Sequence, residues 1–214
     1  HYVILNTYKN RIKQLGEEKW RIKNIGMPNL RAKMNYKFKS LKNLSNELSF
    51  DLSKPYMLLT YHPVTLELKN LKNQISSLIK AIKLSKMNAI ISYPNSDPKF
   101  KEIVKMFNKS FVEKKSFLIT KSLGEEKYFN LMKYAEFIIG NSSSGIVESA
   151  SFKLPSVNIG NRQKGKVMPL NVINTEYSYR AILDGIKKAK SKSFKKGLKN
   201  IKNHNISKFN YKKI

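Results

Sequence analysis

Where the apolar run AEFII ends, the chain continues Gly140-Asn141-Ser142-Ser143-Ser144-Gly145 and then an amphipathic window over 145–152. Three consecutive hydroxyls, two glycines that admit close backbone approach, and the N–H groups of a helix start together favour an anion such as phosphate. The turn is too short for a Walker loop and lacks its lysine, which excludes that NTPase reading. Plain helix capping competes with anion binding: Ser144 or Gly145 could be the cap, although Glu148 falls one residue late for a capping box from Ser144. Glu148, in the first helical turn, suits either the two hydroxyls of a ribose or simple complementarity to the helix dipole.

Three further apolar runs end in polar groups. PYMLLTYH closes on His62-Pro63, an imidazole that could donate to a phosphate oxygen, shuttle a proton or serve structure alone. The next run leads into Ser92-Tyr93-Pro94-Asn95-Ser96-Asp97, where Asn95 and Asp97 fit either a ligand or the start of the following helix. The last puts Arg162 in the glycine-flanked stretch from Asn158 to Gly165, and a guanidinium there suits phosphate charge.

These positions matter because of the elements that carry them. From Pro55 onward, short β-rich runs (PYMLLTYH, MNAIISYP, KSFLITKS, AEFIIGN, PSVNIG, NVINT) alternate with amphipathic windows at 66–85, 98–109, 125–134, 145–152 and 177–190. That alternation predicts α/β architecture: a Rossmann-like, doubly wound parallel sheet with helices on its faces, whose ligands sit at the carboxyl ends of strands. Leu68, Leu71, Ile75, Leu78, Ile79 and Ile82 give the first window its helical spacing. Before it, 2–6 reads as a strand, 7–16 as a helix capped by Thr7 and ended by Gly16, and 20–26 as a second strand. A helix over 35–50 closes a domain junction placed near 30–54, and the Lys-rich stretch 191–214 reads as a surface helix or tail.

Composition narrows the function classes. The 214 residues are 41% hydrophobic, enough for a real core. No apolar run reaches the ~18 residues of a membrane span, and the first residues lack signal-peptide grammar. A soluble, cytoplasmic protein is the default expectation. Without cysteine there are no disulfides and no thiolate metal sites, and no metal is expected. The first residue, His1, reads as the opening of a chain already in progress. The net charge of +28 would ordinarily favour nucleic acid, but the excess is scattered lysine, and arginine stands only at 11, 21, 31, 162 and 180. Nucleic acid is therefore not the expected partner.

Taken in order, LGEEKWRIKNIGMPNL, TYHPVT, SYPNSD and GNSSSGIVESASFKLPSVNIGNRQKGK resemble the hydrolysing UDP-N-acetylglucosamine 2-epimerases of sialic-acid-type pathways over roughly residues 1–190. The block from Gly140 to Lys166 is the most specific part. Two departures stand out: Met27-Pro28-Asn29-Leu30-Arg31 replaces the family's usual Gly-Leu-Asp after the junction proline, and Asn161 stands where Asp is common.

The resemblance implies the second lobe of a GT-B-type fold, with 1–54 as the end of the first lobe and the inter-lobe connection, 55–190 as the nucleotide-binding lobe, and 191–214 as the tail. It implies UDP contacts from Ser142, Ser143, Ser144 and Gly145 at the phosphates, Glu148 at the ribose, Tyr128 near the uracil, and His62, Asn95 and Arg162 lining the same site. The implied reaction eliminates UDP across C1–C2 of the sugar and adds water, giving N-acetylmannosamine. His62 is the one catalytic candidate here, since the main acid/base carboxylates are expected in the first lobe. No cofactor is expected. The partners are a UDP-sugar and, as an allowed assembly, further copies of the chain, with no membrane. The competing readings are a GT-B glycosyltransferase lobe and a non-catalytic nucleotide-binding fragment.

Overall fold

The computed structural model describes residues 1–27, 37–111 and 115–198. The chain divides into two compact units, His1–Phe38 with Ile201–Ile214, and Lys39–Asn200. In the smaller unit, β1 (Tyr2–Val3) and β2 (Lys23–Asn24) pair in parallel around α1 (Asn6–Gln14). Both strands are shorter than the apolar runs that announce them. Thr7 is not the cap of α1: the helix starts one residue earlier, behind an extended Leu5, with no side-chain cap. The Leu5 carbonyl takes the first-turn N–H groups of Tyr8 and Lys9, which leaves Thr7 inside the helix. Before β2, Glu18 accepts from Trp20 Nε1 and Arg21 Nε, and this local pairing goes with a 3₁₀ turn over Lys19–Arg21.

The larger unit opens with α2 (Leu41–Leu48), where the Ser40 hydroxyl accepts from Asn43 N–H and Ser49 ends the helix in a left-handed conformation, φ 48°. This is the shorter outcome of the helix predicted over 35–50, whose first two residues lie outside the described residues. Its sheet comprises β3 (Tyr56–Thr60), β4 (Asn88–Ser92), β5 (Phe117–Thr120), β6 (Phe137–Gly140), β7 (Ser156–Ile159) and β8 (Val172–Thr175). All neighbours are parallel, in the order β5-β4-β3-β6-β7-β8. Covered on both faces, the central strands carry unbroken apolar runs: Tyr56 to Leu59 and Phe137 to Ile139 are all buried. The sheet is the predicted α/β, Rossmann-like one.

The covering helices are α3 (Leu71–Ser85), α4 (Phe100–Phe111), α5 (Gly124–Tyr134), the short α6 (Glu148–Ser151), α7 (Tyr179–Lys190) and α8 (Lys192–Leu198). Leu71, Ile75, Leu78, Ile79 and Ile82 of α3 are buried against the sheet as their spacing requires. Leu68 falls outside α3, in a 3₁₀ turn over Thr65–Asn70 whose residue Glu67 leaves helical geometry at φ −121° and ψ 17°. The α7 start is fixed by Ser178, whose hydroxyl accepts from Ala181 N–H.

Chain order reverses at β3. The strands after it step to one side as β4 and β5, and then β6, β7 and β8 continue on the other. The loops after β3 and β6 therefore leave the sheet in opposite directions and open a crevice between their carboxyl ends, the place where α/β sheets take ligands.

Candidate functional site

At the switch point the two strands approach unusually closely. Thr60 pairs with Gly140, and a Cβ at Gly140 would sit 2.0 Å from the Thr60 carbonyl oxygen. Gly140 also has φ +131°, so this position requires glycine twice over.

Asn141, fully buried just beyond β6, organises the loops around it. Its side-chain oxygen accepts from the His62 N–H at 2.6 Å, and its amide nitrogen donates to the His62 carbonyl at 2.8 Å. Its own carbonyl accepts from Arg162 Nη1 at 3.1 Å and Gln163 Nε2 at 2.7 Å. One residue thus joins the loops after β3, β6 and β7.

His62 is 5% exposed. Its Nδ1 accepts from the Asn95 N–H at 3.2 Å, which assigns the ring proton to Nε2. Burial, and then the positive charge of Arg162, lower its pKa to about 4, with Asp97 pulling the other way. At neutral pH the ring is an uncharged Nε2–H donor. Its basic nitrogen is already occupied, so the site favours hydrogen-bond donation over proton shuttling.

The serine turn departs from its predicted form. No single helix spans 145–152; a 3₁₀ turn over Ser143–Gly145 is followed by the four-residue α6. The cap is Ser142, whose hydroxyl accepts from Ser144 N–H at 3.4 Å, and not Ser144 or Gly145. So short a helix carries little macrodipole, and anion affinity must come from local donors. They are present: the N–H groups of Ser142 and Ser143 meet no acceptor among the described residues, and Ser143 is exposed. Unpaired N–H groups beside an exposed hydroxyl are available to an anion at this turn.

Tyr128, on α5, aims its hydroxyl at this turn, 2.7 Å from Ser144 Oγ, and Ser144 Oγ lies 3.2 Å from Ser142 Oγ. Thr60, whose hydroxyl pairs with that of Ser92 between β3 and β4, lies within electrostatic reach of the same phenol. Burial, opposed by the Ser144 bond, pushes the Tyr128 pKa up to about 12, so the phenol stays protonated. Glu148 opens α6 within electrostatic reach of Tyr128 and Lys166. Partial enclosure, and then the Arg162 charge, hold the Lys166 ammonium below the usual lysine range.

The residues singled out from sequence, His62, Asn95, Tyr128, Ser142, Ser143, Ser144, Gly145, Glu148 and Arg162, are all gathered here. Asn95 takes part through its backbone, while its side chain is exposed. Sequence reasoning passed over Asn141, Gln163, Thr60, Ser92 and Lys166. Asn141 carried a signal as a polar residue directly after a buried strand, and Thr60 and Ser92 as polar ends of two others. Among the described residues, no three His, Asp or Glu side chains come together as a metal site, and no helix is long and apolar enough to cross a membrane.

Comparison with known proteins gives the chain's family and supports its fold. GDP/UDP-N,N'-diacetylbacillosamine 2-epimerase (hydrolyzing) of Campylobacter jejuni is 38% identical over 199 residues, which cover 91% of this chain and 51% of the relative. UDP-N,N'-diacetylbacillosamine 2-epimerase (hydrolyzing) of Legionella pneumophila is 33% identical, covering 90% and 51%. The chain spans about half the length of these curated relatives. In fold it is similar to the crystal structure of UDP-GlcNAc 2-epimerase from Neisseria meningitidis bound to UDP-GlcNAc, with TM-score 0.76 and 14% identity, over 96% of this chain and 57% of that one. Residues 1–209 match the family described as UDP-N-acetylglucosamine 2-epimerase, and the chain belongs to that family.

Proposed function

We propose that this chain is the nucleotide-holding part of a hydrolysing UDP-sugar 2-epimerase, and that its switch-point site binds the diphosphate that leaves the sugar. The observation that carries this reading is the Asn141 hub, which brings the His62 ring, the Arg162 guanidinium and the serine turn to one crevice. In the proposed mechanism, Ser142 and Ser143 N–H groups and the Ser143 hydroxyl meet phosphate oxygens, neutral His62 donates from Nε2, and Arg162 balances charge. Negative charge grows on the diphosphate as the C1–O bond breaks, and fixed donors lower that barrier without reorganising. Glu148 is assigned to the ribose hydroxyls. Tyr128 supports Ser144 on the side that would face the base. Abstraction of the C2 proton is assigned to carboxylates outside this crevice.

The substrate inferred from the family is UDP-N-acetylglucosamine, releasing UDP and N-acetylmannosamine in the cytoplasm. A second substrate, UDP-N,N'-diacetylbacillosamine, is favoured by the names of the Campylobacter and Legionella relatives, and the first of those names also admits GDP. The family match over residues 1–209 favours either over the glycosyltransferase alternative. The test is to incubate a protein spanning the relatives' full length with each nucleotide sugar and follow UDP and free 2-epimeric sugar. Stoichiometric release of both supports the reading. Transfer of the sugar to an acceptor, without epimerisation, would contradict it.

A further inference from the structure

The loop that carries Arg162 is held from two sides. On the inner side Arg162 and Gln163 donate to the Asn141 carbonyl. On the outer side the N–H of Asn161 donates to the Tyr177 hydroxyl oxygen at 3.1 Å, and that hydroxyl donates in turn to Glu67 Oε2. Glu67 Oε2 also accepts from Gln74 Nε2 at 2.8 Å, and Gln74 Oε1 accepts from the buried Tyr61 hydroxyl at 3.1 Å. This chain of bonds begins at the residue before His62 and ends at the residue before Arg162.

Each link has a local cause. Glu67 occupies the non-helical kink of its 3₁₀ turn, from which its carboxylate reaches both Gln74 and Tyr177. The Tyr177 ring lies directly against Gly160, where a Cβ would fall 2.1 Å from ring carbons and where φ is +71°. Burial, reinforced by the bond to Glu67, pushes the Tyr177 pKa up to about 12, so the phenol remains a donor. A carboxylate accepting from two donors makes stronger bonds than a neutral acceptor would, which suits a junction between loops.

We propose that Glu67 and Tyr177 are positioning residues for diphosphate recognition, setting the separation of His62 and Arg162 through Tyr61 and Asn161. The proposal rests on the nucleotide reading of the switch-point site. Neither side chain touches the ligand; their effect passes through the loop backbones.

The experiment titrates the chain and its variants with UDP and with uridine. Tyr177→Phe loses the bonds to Glu67 and Asn161, and Glu67→Ala those to Tyr177 and Gln74, and we expect UDP affinity to fall about fivefold or more while uridine affinity stays within about twofold. Glu67→Gln keeps an acceptor for Tyr177 and recovers most of the affinity, with an unfolding midpoint that reports whether the fold is intact. Folded Tyr177→Phe that binds UDP as the unaltered chain does overturns the proposal, as does an equal loss for UDP and uridine. Failure of the unaltered chain to bind UDP overturns the nucleotide reading itself, a result read before any variant is compared.

Discussion

The carboxamide of Asn141 grips the backbone of His62 at both ends, accepting from its N–H at 2.6 Å and donating to its carbonyl at 2.8 Å. This pairing bridges β3 and β6 where the chain reverses direction, so the depth of the crevice depends on one amide. Asn141→Ala removes both the acceptor and the donor that hold His62 and strands its two buried backbone groups. We expect a loss of about 2–4 kcal/mol in denaturant unfolding and a marked loss of UDP affinity. Asn141→Asp keeps the acceptor but loses the donor, and should fall between the two.

His62 gives the fold a pH signature. Its folded pKa, about 4, lies below the ordinary 6.5, so folding favours the neutral ring. That stabilisation is complete above pH 6.5 and is lost as pH falls toward 4, on the order of 2 kcal/mol once solvent screening is allowed for. Nuclear magnetic resonance of the imidazole C–H protons should show one histidine titrating near pH 4. His62→Gln should flatten the acid limb of the stability curve, and a His62 midpoint near 6.5 would refute the assignment.

Two glycines with positive φ separate strain from collision. Gly140→Ala faces the Thr60 carbonyl at 2.0 Å and should cost about 3 kcal/mol or more, or prevent folding. Gly165→Ala, at φ +86° with nothing within 4 Å, should cost only about 1 kcal/mol. Thermal unfolding of the two variants gives the comparison, and equal losses would show that the strand contact is not what fixes Gly140.

Much of the sheet was legible because strands buried on both faces need unbroken apolar runs, and the runs ending at Thr60, Ser92 and Gly140 show them plainly. The polar residues immediately beyond those runs were legible too, since the fold puts ligands there. What sequence could not show is pairing across distance: Asn141 meets a residue 79 positions away, and Glu67 meets one 110 positions away. The helix expected over 145–152 forms only over Glu148–Ser151 for a local reason, because the Ser and Gly residues before it satisfy their backbone through the Ser142 hydroxyl and tight 3₁₀ bonds instead. Thr7 was misplaced because a cap is only one way to start a helix, and the Leu5 carbonyl supplied another.

Tyr128→Phe removes the hydroxyl that meets Ser144 while leaving the ring on α5. The serine turn then loses the bond that fixes Ser144. UDP affinity should fall about fivefold with little change in unfolding midpoint. A calorimetric titration beside a thermal melt checks both parts, and unchanged affinity would separate Tyr128 from the cradle.

We propose that this crevice recognises a nucleoside diphosphate through its phosphates. Calorimetric titration of the chain with UDP, UMP and uridine, repeated for Arg162→Ala and at rising salt, tests it most directly. Affinity is expected to fall in the order UDP, UMP, uridine, with Arg162→Ala collapsing most of the difference. Uridine binding as tightly as UDP, or UDP binding that Arg162→Ala leaves untouched, would contradict it.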